Sequence, residues 1–326
     1  RPNFPFWQVL RAAAPIVMAG NTFLLKHASN VPQCAQALEE LFHDAGAPEG
    51  VFSTLLVGSE AVPALIDDVR VHGVTLTGSE TAGRRVAALA GAALKPLVME
   101  LGGSDAFLVL EDADLEQALE GALRSRFQNN GQSCIAAKRF IVHASLVEAF
   151  SEGLAARVAA LRVGDPLDET TEIGPLARPD LRQQVLEQVR SSVQDGARLV
   201  QGGLALPGSF AAMQACVLTG VRPGMTAFDE EIFGPVAAVV EAQDDLHALH
   251  LANSSRFGLG GSVWTRNVAR GEALARALEC GVAFVNGMVK SDPRLPFGGC
   301  KVSGLGREMG VHGLRAFTNV KSLWVA

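Results

Sequence analysis

Over roughly its first hundred residues the chain alternates apolar runs at helical spacing with short β-prone runs, and this excludes most folds at once. Trp7–Ala19 and Pro32–Ala45 carry the helical spacing, the second at Ala35, Leu38 and Leu41 before a stop at Gly46. Asn21–Leu25, Val51–Val57, His72–Leu76 and Pro96–Glu100 read as strands, with helices at Ala61–Val69 and Thr81–Leu94 among them. Strand and helix in strict alternation predict βαβ units and a parallel sheet. Such sheets bind ligands at the carboxyl ends of their strands.

The character changes after Glu100. Gly102-Gly103 breaks the chain, and Asp112-Ala113-Asp114 opens a helix to about Phe127. A second α/β pattern follows, with strands at Lys138–Val142, Ala197–Val200, Ala215–Leu218, Val236–Val240, Gly260–Trp264 and Gly281–Val285. Helices are expected at Ser145–Leu161, Pro179–Gln194, Asp244–Asn253 and Ala269–Leu278. A last strand is expected at Ala316–Val325, after the Gly-rich stretch Gly298–Gly310. The domain boundary falls near Gly102.

Composition fits two packed domains. Of 326 residues 48% are hydrophobic and 19% charged, so a large core is available and disorder is disfavoured. The net charge of −6 and the lack of a basic run argue against nucleic acid. The longest apolar stretches, such as Val86–Leu94, fall short of the roughly 20 residues a membrane helix needs. The start lacks a signal-peptide pattern, and Arg1 in place of Met suggests a segment left out upstream. Cys34, Cys134, Cys216, Cys280 and Cys300 are scattered without a CxxC pair, which favours a reducing cytoplasm over disulfides or structural zinc.

Several positions could carry chemistry. Cys134 follows Asn129-Asn130-Gly131-Gln132-Ser133 directly after a helix, a setting that exposes a thiol to a cleft. A thiolate there could attack a carbonyl carbon, its own N–H supporting the oxyanion; the plain alternative is an inert buried cysteine. Glu100 ends an apolar strand, where burial makes a general base, or is simply an exposed strand end. Gly78-Ser79 and Gly83 join a strand to a helix and could hold a phosphate at the helix start, or merely cap it. Lys26 follows a strand and could donate to ribose hydroxyls, or sit in solvent. Glu231 and Phe233, in Glu230–Pro235, could hold a ribose and a flat ring, or form a loop over a core Phe. His247 and His250 have no third metal ligand and read as ordinary helix residues.

Taken in order, these segments resemble the NAD(P)-dependent aldehyde dehydrogenases. The resemblance rests on Asn3-Phe4-Pro5, Lys26, Gly78-Ser79 with Gly83, Glu100-Leu101-Gly102-Gly103, Gly131-Gln132-Ser133-Cys134, Glu230–Pro235, Pro296-Phe297-Gly298-Gly299, Ser303-Gly304 and Gly306-Arg307-Glu308. Lys26-His27-Ala28, Gly102–Asp105 and Cys134–Arg139 look most like the bacterial succinate-semialdehyde dehydrogenases.

The resemblance implies an α/β fold with a Rossmann-type cofactor domain over residues 1–102, a catalytic domain over 103–310 and a C-terminal oligomerisation strand over 311–326. It implies that Cys134 attacks an aldehyde, that Asn3 and the Cys134 N–H hold the oxyanion, and that Glu100 activates the water that hydrolyses the thioester. NAD or NADP would lie with its adenine ribose at Lys26, its pyrophosphate near Ser79 and its nicotinamide ribose at Glu231, with Phe233 nearby. Ser29 stands where relatives often carry a Glu that repels the 2′-phosphate of NADP, so both cofactors are expected. Arg11 and Arg126, each roughly two helical turns from Asn3 or Cys134, are expected with Phe297 in the pocket for a substrate carboxylate; the plain alternative is that either arginine pairs with a structural carboxylate. A homodimer or homotetramer is implied. Two departures stand out: Arg1-Pro2-Asn3 replaces the usual Pro-Trp-Asn, and relatives carry a long preceding segment, so the cofactor sheet is expected to be incomplete. The rival functions are a cysteine hydrolase or acyltransferase, for which no histidine motif is present, and an inactive fragment.

Overall fold

The computed structural model describes residues 3–208 and 210–326. Arg1 and Pro2, which depart from the family pattern, lie outside the described residues. The chain divides into two compact units, one of residues 1–101, 291–299 and 303–326, the other of 102–290 and 300–302.

The first unit begins with α1 (Trp7–Met18), β1 (Phe23–Leu25), α2 (Pro32–Asp44), β2 (Phe52–Thr54), α3 (Val62–Asp67), β3 (Val74–Thr77), α4 (Glu80–Ala92) and β4 (Leu97–Glu100). β1 pairs parallel with β2, and β3 parallel with β4, in two separate sheets. The apolar stripe of α1, Val9, Ala12, Ala13 and Ile16, packs with Phe23, Leu25, Leu38 and Phe52 in one core. Phe42 stacks on Phe52 at 4.5 Å between ring centroids. Pro32 supplies the fixed φ favoured in a first helical turn and starts α2.

The second unit holds β5 (Asp105–Val109), α5 (Leu115–Phe127), β6 (Ala137–His143), α6 (Val147–Ala159), α7 (Pro179–Gln194), β7 (Arg198–Gln201), β8 (Cys216–Thr219), α8 (Thr226–Asp229) and β9 (Val236–Ala242). It continues with α9 (Asp245–Asn253), β10 (Phe257–Gly258), β11 (Gly260–Trp264), α10 (Val268–Ala277), β12 (Val282–Val285) and β13 (Cys300–Lys301). Seven strands form one sheet in the order β12-β11-β5-β6-β9-β8-β7, parallel except for the edge strand β7. Both faces are covered. Ala106, Leu108 and Leu110 join a core with residues of α7, α9 and α10, while Phe107 and Val109 join a second core with α5 and α6. Two-sided burial of this kind requires near-continuous apolar strands and selects the parallel arrangement.

The chain ends in the first unit with β14 (Gly304–Leu305), antiparallel to β4, and α11 (Gly310–Arg315). Three expectations are corrected here. β5 lies in a stretch the sequence reading left without an element, because its fully buried apolar run carries no alternation. Residues 291–299 and 303–310 belong with the first unit rather than the second. No strand forms among residues 316–326, where Val320, Leu323 and Trp324 are exposed. A strand exists only against a hydrogen-bonding neighbour, and no described segment of the chain provides one there.

Candidate active site

In the first unit Glu100 ends β4 at 2% exposure, and its Oε1 has no hydrogen-bond partner among the described residues. Gly298 makes room for it: a Cβ there would stand 2.6 Å from Oε1. Burial pushes the Glu100 carboxyl well above the ordinary carboxylate range, and the negative Glu308 pushes further, while Arg11 and Arg307 oppose. A carboxylate raised in this way is a stronger base, once ionised, than one in water.

Arg11 comes from α1 and is itself buried. Its Nε lies 2.5 Å from Oε2 of Glu308, its guanidinium donates to Thr77 Oγ1 at 3.3 Å, and its charge sits 4.8 Å from the centre of the Phe297 ring. Thr75 donates to the other Glu308 oxygen at 3.2 Å. Glu308 is raised by burial and held back by Arg11. The expected substrate role for Arg11 and Phe297 is therefore corrected. The arginine charge is committed to Glu308, and Phe297 is 1% exposed beneath it.

In the first unit Lys26 and Gly78-Ser79 fall directly after the carboxyl ends of the parallel strands β1 and β3. Lys26 follows β1 and is half-buried, and Ser29 is exposed three residues on. α2 is capped at Val31 without a side-chain bond, so Ser29 does not serve as its cap. Gly78 closes β3 by donating to Glu100 O at 2.9 Å. Ser79 caps α4, accepting from Ala82 N–H at 3.3 Å. A Cβ at Gly83 would stand 2.5 Å from the Leu101 methyls, so glycine there lets the leucine side chain pack against α4. A helix N-terminus of this length at a parallel strand end suits a phosphate, and the half-buried Lys26 suits ribose hydroxyls. Asn3 is half-buried in the turn before α1.

In the second unit the turn carrying Cys134 is fixed on all sides. Asn129 and Asn130 adopt φ of 52° and 55°, a left-handed conformation that Asn tolerates. Gly131 continues it at φ 69°, where a Cβ would press on Gly234 O and the Arg126 guanidinium. Asn130 is tied to the backbone of Gly174 and Pro175 at 2.9 and 3.2 Å, and Gln132 accepts from Ala177 N–H at 3.0 Å. Cys134 itself remains partly exposed. Glu231 lies over the Gly102-Gly103 turn, where Gly103 N–H donates to it at 3.2 Å and a Cβ on Gly102 would stand 2.5 Å from its Oε2. Phe233 is buried.

Arg126 is also corrected. It is completely buried and donates to Ala137 O at 3.0 Å, Gly131 O at 2.7 Å and Gly234 O, so its charge binds three backbone segments and not a substrate. Burial lowers its pKa to about 9, with Glu231 and Asp105 opposing. Arg126→Leu would strand those carbonyls and should cost about 3 kcal/mol or more. The expected result is a Tm lower by roughly 6–12 °C. An unchanged melting curve combined with a raised KM for charged aldehydes alone would restore the substrate role.

Sequence reasoning assigned nothing to Glu308, Lys138 or Arg139. Lys138 and Arg139 sit in the buried strand β6, and two cations inside an apolar strand are a signal in themselves. Arg139 donates to Ser104 O and to the carbonyls of Leu251 and Ala252, closing the end of α9.

The sequence pattern of the Aldehyde dehydrogenase family matches residues 3–323. A succinate semialdehyde dehydrogenase [NAD(P)+] of Escherichia coli is 50% identical over 322 residues, 99% of this chain and 70% of that protein. A succinate-semialdehyde dehydrogenase [NADP(+)] of Mycobacterium tuberculosis is 50% identical over 326 residues, covering 99% and 71%. The crystal structure of succinic semialdehyde dehydrogenase from Streptococcus pyogenes in complex with NADP+ is similar at a TM-score of 0.96 and 38% identity, covering 99% of this chain and 71% of that one. Among the described residues no helix is long and apolar enough to cross a membrane.

Proposed function

The chain belongs to the aldehyde dehydrogenase family, and from that premise we propose that it oxidises succinate semialdehyde to succinate with NAD or NADP. The observation that carries the substrate is 50% identity, over 99% of the chain, to relatives named for it.

In this reading the Cys134 thiolate adds to the aldehyde carbon, and the new oxyanion accepts hydrogen bonds from the Cys134 N–H and the Asn3 amide. The carbon of this adduct then gives up its hydride, for which bound NAD or NADP would be the acceptor, and a Cys134 thioester remains. Lys26 and Ser29 would hold the cofactor's adenosine end, Ser79 its phosphates, and Glu231 with Phe233 its nicotinamide end. Glu100 then takes a proton from water as that water attacks the Cys134 thioester, and the acid leaves with the thiolate restored. Burial of Glu100 and the fixed, partly exposed turn at Cys134 support these roles. All five cysteines are free thiols, which suits a cytoplasmic enzyme. The exposed apolar residues Val320, Leu323 and Trp324 support a homodimer or homotetramer.

Absorbance of reduced cofactor, followed with a panel of aldehydes, tests the reading. Succinate semialdehyde should give the highest kcat/KM. A better uncharged aldehyde of equal length would overturn the substrate, and no turnover with any aldehyde would overturn the activity. The same assay reads cofactor choice. Ser29→Glu should set a carboxylate against the 2′-phosphate of NADP. Because Ser29 is exposed, screening limits the loss to about 1 kcal/mol, roughly three- to ten-fold in kcat/KM for NADP, with NAD spared. An unchanged NADP/NAD ratio would remove Ser29 from the cofactor site.

A further inference from the structure

We propose that Lys138 is a positioning residue for the nucleophile, its buried ammonium fixing the Cys134 turn and tying it to the carboxylate of Glu231. The inference rests on the reading of Cys134 as the nucleophile.

Lys138 is 2% exposed in β6, four residues after Cys134. An ammonium has three donors, and here all three are used within one turn of chain. Nζ donates to Ser133 O at 3.0 Å, to Cys134 O at 2.8 Å and to Ala136 O at 3.0 Å. Ala136 N–H closes the same turn on Ser133 O at 3.2 Å. Three carbonyls converging on one cation fold the backbone around it. With its carbonyl held by the ammonium, Cys134 is fixed in place and stays partly exposed.

The cation also has a charged neighbour. Glu231 Oε1 lies 3.9 Å from Nζ while accepting from Gly103 N–H. One buried charge therefore contacts both the nucleophile's own peptide and the carboxylate assigned to the nicotinamide ribose. The charged and titratable groups facing Lys138 are Glu231, Arg126, Asp105 and Cys134. Burial pulls the lysine below its ordinary range, Glu231, Asp105 and Cys134 raise it, and Arg126 lowers it further. A buried cation held on the Cys134 peptide favours the anionic form of the neighbouring sulfur, because opposite charges attract. A lysine with only a packing role would have no need of its charge.

The test follows alkylation of Cys134 by iodoacetamide across pH, with the modified residue identified by mass. Lys138→Met removes charge and donors, Lys138→Gln keeps two donors without charge, and Lys138→Arg keeps the charge. Met and Gln should both move the alkylation midpoint to higher pH and slow the reaction roughly ten-fold near neutrality, about one pH unit. Arg should restore the parental midpoint in large part. The KM for cofactor should rise in the Met and Gln variants as the Glu231 carboxylate loses its counter-charge. A midpoint unchanged in folded Met or Gln variants would overturn the proposal. So would failure of all three variants to fold, which would make Lys138 a folding residue. Alkylation needs no dehydrogenase activity. If no aldehyde is turned over by the parent, the proposed function fails while the pH midpoints still decide the role of Lys138.

Discussion

Replacing Cys134 by serine should abolish aldehyde oxidation while leaving cofactor binding and the melting temperature close to those of the parent. The thiol is partly exposed on a turn held by Asn129, Asn130, Gln132 and Lys138, and a hydroxyl of nearly the same size leaves those ties in place. A hydroxyl at that position is un-ionised at neutral pH and a far weaker nucleophile. The loss should reach about a thousand-fold or more in kcat, ~4 kcal/mol of barrier. Steady-state rates with intrinsic fluorescence titration of the cofactor check both halves of the expectation. Turnover within a few-fold of the parent would remove Cys134 from the chemistry.

Glu100→Gln should divide the reaction in two. The amide keeps the shape of the carboxyl but accepts no proton, so acyl-enzyme forms and then persists. Rapid mixing should show a burst of reduced cofactor near one equivalent per Cys134, followed by turnover slower by about a hundred- to ten-thousand-fold. Loss of the burst together with turnover would assign Glu100 another task. The parent's turnover should also fall as pH drops through the raised range of the Glu100 carboxyl, since only the ionised form is a base. Glu308 contributes to that raised range, and Glu100→Gln should erase this limb from whatever turnover remains.

Much of the architecture is written locally in the sequence. Pro32, the Ser79 cap and the stripe Val9-Ala12-Ala13-Ile16 each act within a turn or two of chain, and the elements they specify form where expected. β5 was hidden for the opposite reason. Asp105–Val109 is buried on both faces, so its pattern carries no period, and only its neighbours β6 and β11 make it a strand. The arginines show the same limit. Spacing placed Arg11 and Arg126 beside residues of the reaction, yet the partner of Arg11 lies at Glu308, and Arg126 binds carbonyls as remote as Gly234. Position along a helix gives direction, whereas a charge takes whatever partner the tertiary fold brings. Lys138 entered the sequence reading only as the start of a strand and as part of the Cys134–Arg139 resemblance, and its three carbonyls come from a turn whose path no local rule sets.

Three of the glycines described above are moulds of the groups that face them. The space left at Gly102 is filled by Glu231, that at Gly131 by Arg126 and Gly234, and that at Gly298 by Glu100. Inheritance at these positions is therefore constrained by residues far away in the chain. A descendant that kept Cys134 and Glu100 but acquired a side chain at Gly298 would still carry its reactive residues and yet have its base displaced. Whether a related gene still encodes a working catalyst is thus recorded as much in its missing side chains as in its reactive ones.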